Sequence, residues 1–75
     1  MVNINIDNFG PNCKKYREAA GISQRVLADF CQTHQNLICR YENGVRYPTL
    51  YSAIRIANAL QVGLDDLLAE TTITK

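Results

Sequence analysis

The chain has 75 residues, of which 47% are hydrophobic and 20% charged, and its formal net charge is +1. These values indicate one globular domain and argue against a disordered segment. No apolar run approaches the roughly 20 residues of a membrane span, and the N-terminus lacks the basic and apolar regions of a signal peptide. Three cysteines without a CxxC pair suit a reducing compartment, so we expect a cytoplasmic protein without a membrane partner.

Residues 2–6 alternate between apolar and polar side chains, a period of two that is typical of a short β-strand. A strand needs a partner, because an isolated one is not stable. The tail at 71–75 and a second subunit are the candidate partners. The alternative is a loose N-terminal tail.

Five stretches with apolar residues at helical spacing follow this segment. Glycines end two of the predicted helices, while Ser23, Thr49 and Gly63 stand where N-caps are expected. The predicted helices span about Phe9–Ala20, Gln24–Cys31, Gln35–Glu42, Leu50–Leu60 and Leu64–Ala69. We therefore predict an all-α, five-helix domain over 1–75, with a core at about 9–69 and tails at 1–7 and 70–75. In the fourth helix the residues expected to be buried are Leu50, Ala53, Ile54, Ile56, Ala57 and Leu60.

The stretch from Ser23 to Gly44 carries an ordered motif: QxxLA from residue 24, then a polar turn, then ENG from residue 42, followed by Pro48. This pattern resembles the helix-turn-helix domains of phage repressors, Cro and the xenobiotic-response-element type regulators. The resemblance implies a compact phage-repressor-like fold that binds double-stranded DNA without a cofactor. The matching positions are Gly21, Ser23, Gln24, Leu27, Ala28, Ile38, Glu42, Asn43, Gly44, Pro48, Leu60 and Leu67.

The third predicted helix would be the one that reads DNA bases. Its first turn is polar, and Gln35, Asn36 and Arg40 stand at the positions that read bases in the family. Gln and Asn can pair with adenine and Arg with guanine through two hydrogen bonds each. Leu37 stands where many relatives have a small or polar residue, and we expect it to be partly exposed, against a thymine methyl group or in packing.

Residues that flank this helix would position the domain on the DNA backbone. By resemblance, Gln24, Asn43 and Arg46 contact phosphates, which sets the register without reading sequence. His34 lies next to them and could contact phosphate in a pH-dependent way, although an ordinary exposed histidine explains it as well. Arg17 and Glu42 match a pair that forms a structural salt bridge in relatives.

Two positions depart from the family pattern. Gln32 stands in the turn where relatives carry glycine, and a left-handed conformation there would cost about 1 to 2 kcal/mol. The turn is therefore expected either to bear this cost or to have a different shape. His34 replaces the usual Ser or Thr cap of the reading helix.

We interpret the chain as a sequence-specific DNA-binding regulator, a repressor that binds a two-fold operator as a homodimer. The dimer candidates are Leu64, Leu68 and Ile73, with residues 2–6 as an extension; alternatively, the leucines only cover the core. An antitoxin of a toxin-antitoxin pair and a protein-interaction bundle are the other interpretations.

An enzyme is not expected, because no phosphate loop or carboxylate cluster is present and His34 has no evident catalytic partner. No metal site is expected, since the spacing of Cys31, His34 and Cys39 matches no zinc signature. Nothing in the sequence indicates a small-molecule ligand.

Overall fold

The computed structural model describes residues 4–70, which form five helices preceded by one 3-10 turn at Ile6–Asn8. The all-α prediction is thus confirmed. Between residues 4 and 70, no helix is long and apolar enough to cross a membrane. The helices are α1 (Phe9–Ala19), α2 (Gln24–Phe30), α3 (Gln35–Glu42), α4 (Leu50–Leu60) and α5 (Leu64–Leu68).

Hydrogen bonds at the predicted N-caps mark where α2, α4 and α5 begin. Ser23 Oγ accepts a hydrogen bond from the Val26 amide at 3.1 Å, and Thr49 Oγ1 accepts one from Ser52 at the same distance. Gly63 has no side chain to offer, but its own amide donates to Asp66 Oδ2 at 2.9 Å. The first amide groups of a helix lack intrahelical partners, and these contacts satisfy some of them.

The core lies where α1 and α2 pack against α3, with α4 and α5 closing it from the other side. The ring of Phe9 in α1 meets the ring of Tyr41 in α3 edge to face, with their centroids 5.9 Å apart. Aromatic pairs favour this arrangement. The buried hydrophobic residues are Phe9, Cys13, Leu27, Ala28, Cys31, Ile38, Tyr41, Ala53, Ile56, Ala57, Leu60 and Leu67.

Gly10 allows α1 to approach the C-terminal end of α3 closely. A Cβ atom at this position would collide with the carbonyl oxygen of Tyr41 and would lie 3.0 Å from that of Glu42. Both obstacles are backbone atoms, so they cannot move aside as a flexible side chain could. The absence of a side chain at residue 10 therefore sets the distance between α1 and α3.

The expected N-terminal strand is replaced by a single antiparallel bridge between Ile4 and Ala69. The strand prediction is wrong for residues 4–6, because Ile6 already begins the 3-10 turn, in which Asn5 Oδ1 accepts from the Asp7 amide at 2.8 Å. The rest of the predicted strand, and the tail 71–75 that was one of its expected partners, lie outside the described residues.

Asparagines tie α1 and the segment before it to the C-terminal end of α5. Asn12 is buried, and its Nδ2 donates to the carbonyl oxygens of Leu67 at 3.0 Å and Ala69 at 2.7 Å. The carbonyl of Leu68 accepts from Asn8 Nδ2 and from the Asn5 amide, both at 2.9 Å. The last carbonyls of a helix need such partners, and here α1 and the preceding segment supply them.

Two residues of α4 that were predicted to be buried are exposed. Leu50 retains 68% of its accessible surface and Ile54 retains 41%, whereas Ala53 and Ala57 are buried. Each residue advances by about 100° around a helix, so Ile54 lies a quarter turn or more away from Ala53. The six residues predicted to be buried cover a wider part of the helix surface than the stripe that is buried in the structure.

Candidate nucleic-acid interface

Five of the residues expected to contact DNA line one depression of about 340 Å³ that runs along α3. They are His34, Asn36, Leu37, Arg40 and Arg46. Two of them are arginines, so the depression concentrates positive charge on a chain whose net charge is only +1. Such a surface suits a phosphate-bearing polymer, whose binding is dominated by contacts of this kind.

The two faces of α3 have opposite character. Gln35, Asn36 and Arg40 are exposed, while Ile38 and Tyr41 are buried at 0% and 4% relative exposure. The buried pair fixes the rotation of the helix, so the polar side chains of its first turn project outward. Leu37 is half-buried and packs against the core while also lining the depression, in line with the partial exposure expected for it.

The N-terminus of α3 carries no side-chain cap. His34 is the N-cap residue and is exposed, and within the described part of the chain its side chain makes no capping hydrogen bond. Its carbonyl accepts from the Leu37 amide at 3.0 Å. The amides of Gln35 and Asn36 precede that bond, and helix amides at this position can donate to an anion.

A tight turn after α3 brings Arg46 back beside Arg40. The amides of Val45 and Arg46 both donate to the Arg40 carbonyl, at 3.0 and 3.3 Å. Gly44, with a φ of +74°, permits this reversal. Asn43 lies outside the depression, and its Nδ2 contacts Cys39 Sγ at 3.3 Å. The turn thus places Arg46 beside the α3 surface, although it is six positions after Arg40 in the sequence.

Arg17 and Glu42 form the salt bridge that the family resemblance implies. Arg17 Nε lies 2.7 Å from Glu42 Oε2, and Nη2 donates to Oε1 at 3.2 Å. Arg17 Nη1 also donates to the Ile22 carbonyl at 2.8 Å. The hydrogen bond with Glu42 raises the pKa of Arg17 above its usual value. The network therefore joins α1, the loop before α2 and the end of α3.

Gln24 and Cys13 complete this network. Gln24 Nε2 donates to Glu42 Oε1 at 3.0 Å, so the side chain expected to contact phosphate is engaged with the ion pair and lies outside the depression. Burial, followed by the charge of Glu42, raises the pKa of Cys13 to about 12. Cys13 is therefore a neutral thiol at physiological pH.

The turn between α2 and α3 contains a left-handed residue that is not glycine. Gln32 has a φ of +57°, and the Thr33 amide closes the turn on the Ala28 carbonyl at 2.9 Å. Of the two shapes that the sequence left open, the structure has the left-handed one. Arg55 of α4 donates from Nη2 to Gln32 Oε1 at 2.7 Å.

Sequence reasoning missed both Arg55 and Asn12 as organising residues. Each acts through side-chain hydrogen bonds between distant segments, which helical periodicity does not reveal. The glutamine in a glycine position marked residue 32 as unusual, but nothing in the sequence indicated Arg55 as its partner.

The dimer candidates lie on or beyond α5. Leu64 and Leu68 are half-buried and pack against the core of their own chain. Ile73 lies outside the described residues. More exposed apolar side chains lie elsewhere in the described residues, among them Leu50 and Ile54 of α4, Phe30 of α2 and Val45 after α3.

Comparison with known proteins places this geometry in a family. A model of the helix-turn-helix family HTH_3 matches residues 14–67, which contain α2, α3 and the turn between them. The chain belongs to this helix-turn-helix family. It is 36% identical over 63 residues, or 84% of its length, to the SPbeta prophage-derived uncharacterized HTH-type transcriptional regulator YonR of Bacillus subtilis. The chain spans 58% of the length of that regulator.

Solved structures agree with this assignment. The restriction-modification controller protein C.AhdI from Aeromonas hydrophila superposes with a TM-score of 0.78 at 27% identity, covering 83% of this chain and 90% of the controller. The P22 c2 repressor, solved with a synthetic operator, superposes with a TM-score of 0.76 at 23% identity, covering 80% of this chain and 91% of the repressor. The second likeness shows the fold alone, which is that of a phage-repressor domain.

Proposed function

We propose that this helix-turn-helix protein binds double-stranded DNA in a sequence-specific manner and regulates transcription. The observation that carries the proposal is the depression in which base-reading candidates on α3 adjoin the positive charges of Arg40 and Arg46. A helix-turn-helix domain lays its second helix in the major groove with the N-terminal residues against base edges. The exposed first turn of α3 suits that placement.

In this arrangement Gln35, Asn36 and Arg40 read bases, and Leu37 contacts a thymine methyl group at the edge of the depression. Arg46 and His34 contact phosphate, assisted by the uncapped amides at the start of α3. Gln24 and Asn43 reach phosphates from either side. Since Gln24 is bonded to Glu42, its contact with DNA requires that its amide be shared or released.

The protein acts as a homodimeric repressor on a two-fold operator, in the cytoplasm and without catalytic activity of its own. One short helix contacts only a few base pairs, so two copies are needed to select a genomic site. The HTH-type transcriptional regulator and the restriction-modification controller protein among the similar proteins support the transcriptional role. An antitoxin role and a DNA-independent interaction role are the alternatives.

Selection of bound duplexes from a random-sequence DNA library tests the proposal. A preferred sequence with two-fold symmetry should emerge, and its affinity should fall with salt. Three to six phosphate contacts per dimer correspond to a log-log slope of about −3 to −5. A protein with Arg40 and Arg46 both replaced by Ala serves as the matched control, which should enrich no sequence. If the unaltered protein enriches no sequence either, or if its affinity for DNA does not change with salt, the DNA-independent interaction role replaces the role of transcriptional regulator.

A further inference from the structure

We propose that Arg55 of α4 is a positioning residue for the reading helix, and that it acts by holding Gln32 in the left-handed turn between α2 and α3. The inference rests on the proposed function for its consequence in DNA binding. The contact itself is a property of the free protein. Through this contact, α4 would help to set the orientation of α3.

The chain contains an internal comparison for this contact. Gln32 and Gln61 are the two described residues other than glycine with positive φ, at 57° and 59°. Gln61 ends α4, and in the part of the chain that the structure describes its side chain makes no hydrogen bond. The side chain of Gln32, in contrast, accepts from Arg55 Nη2 at 2.7 Å. The same backbone conformation thus occurs once with a side-chain hydrogen bond of this kind and once without it. We call the hydrogen bond from Arg55 to Gln32 the tether.

Arg55 is itself held on a second side. Its Nη1 donates to Tyr51 Oη at 2.6 Å, and its guanidinium carbon lies 5.3 Å from the centroid of the Tyr51 ring. Its neighbours Ile56 and Ala57 are buried in the core, which fixes the helix that carries it. A planar guanidinium with two directed contacts is a more rigid support than a flexible ammonium group.

The contact lies at the turn that sets the orientation of α3. Arg55 lines a small cavity of about 20 Å³ together with Cys31 and Thr33, the residues on either side of Gln32. Gln35 begins α3 three residues after Gln32. A change in the backbone at Gln32 therefore changes the angle between α2 and α3, and with it the direction in which Gln35 and Asn36 project.

Glycine reaches the left-handed conformation without assistance, whereas glutamine does so at a cost. If Arg55 offsets that cost, its importance must depend on which residue occupies position 32. This dependence distinguishes a tether from an ordinary contribution of Arg55 to folding or to the charge near DNA. A double-mutant cycle measures it.

The experiment uses Arg55→Lys, which keeps the positive charge but removes the planar, two-pronged contact. It is combined with Gln32→Gly in one series and with the untethered control Gln61→Gly in another. In the free protein, the melting temperature is the readout. Gln32→Gly should raise the melting temperature about 4 °C more in the Arg55→Lys protein than in the unaltered one, while Gln61→Gly should have the same effect in both.

In DNA binding, the readout is the ratio of affinities for the best duplex recovered by selection and for a shuffled duplex of equal composition. Arg55→Lys should lower this ratio about tenfold, and adding Gln32→Gly should restore it to within about twofold. Adding Gln61→Gly should restore nothing. A purely structural role would reduce stability without changing the ratio at temperatures well below unfolding.

The outcomes separate the two proposals. If the unaltered protein binds its selected duplex but neither readout shows coupling between residues 32 and 55, the positioning role is wrong and the proposed function stands. If residues 32 and 55 are coupled in the melting temperature but not in the affinity ratio, the positioning role is also wrong. Arg55 would then stabilise the turn without affecting how α3 is oriented on DNA. If the unaltered protein binds no duplex, the proposed function fails, and the positioning role fails with it.

Discussion

The guanidinium of Arg17 donates two hydrogen bonds to the carboxylate of Glu42, across the interface between α1 and α3. The two side chains retain 12% and 2% of their accessible surface. Arg17 also lies 3.9 Å from Glu18, whose side chain is 59% exposed. The same cation therefore takes part in one enclosed ion pair and one exposed pair.

This difference predicts unequal effects of removing the partners. Arg17→Met leaves the enclosed carboxylate of Glu42 without its cation and should lower the free energy of unfolding by about 3 to 5 kcal/mol. Glu18→Gln, the matched control, removes only the exposed pair and should change it by less than about 1 kcal/mol. Urea denaturation measures both. Similar losses for the two variants would mean that enclosure does not decide the strength of the pair.

A second prediction concerns Asn12, whose amide bonds two carbonyls at the end of α5. Asn12→Ala leaves the Leu67 and Ala69 carbonyls without this donor and should destabilise the protein by about 1 to 3 kcal/mol. Asn58→Ala, at an exposed position of α4, is the control and should have little effect. Hydrogen exchange should show α5 opening before the other helices in the Asn12 variant. Unchanged exchange in α5 would show that α1 does not hold it.

Local signals in the sequence were enough to predict the helices. The bounds of α3 and α4 agree with the prediction, because Thr49 caps one helix and the ENG turn ends the other. The burial of α4 was less predictable, since Leu50 and Ile54 are as hydrophobic as their buried neighbours. Which residues of a helix face the core depends on where the other helices pack. Periodicity alone identifies the apolar side of the helix but not which residues at the margins of that side are buried.

In the candidate site too, local features could be predicted from the sequence, whereas contacts that depend on packing could not. The polar first turn of α3 was evident from Gln35 and Asn36, and the motif located Arg46. The bond between Gln24 and Glu42 and the tether from Arg55 to Gln32 each join residues 18 or more positions apart. Such contacts follow from the packing of complete helices, so neither composition nor spacing could predict them.

A third prediction separates base reading from positioning on DNA. Arg40→Ala or Gln35→Ala should weaken binding to the selected duplex by about 1 to 3 kcal/mol and relax the preference at one base position. Arg46→Ala should weaken binding to all duplexes alike and should make the salt slope about one unit shallower. Competition assays with single-base variants of the duplex measure both effects. If all three proteins lose affinity equally on every sequence, the base-reading assignment is wrong.

The last prediction concerns assembly. Two copies bound to a two-fold operator should place their reading helices on half-sites about 34 Å apart, one turn of the DNA. Leu64 and Leu68 of α5 are the proposed contacts, and each is half-buried, so part of its surface is available to a second copy. Sedimentation equilibrium of the free protein should show a dimer, and Leu68→Lys should shift it to a monomer.

Because Leu68 also packs against the core, circular dichroism must show that the Leu68→Lys protein remains folded. If it does not, Leu64→Gln, a less drastic change at the other proposed contact, replaces it. Leu50→Lys is the matched control, since Leu50 is 68% exposed and its replacement leaves the core intact. A monomer produced by Leu50→Lys but not by either α5 variant would move the interface to α4. A free protein that is monomeric at tens of micromolar and binds one unrepeated half-site would remove the dimer altogether, because a two-fold interface requires both copies on the DNA.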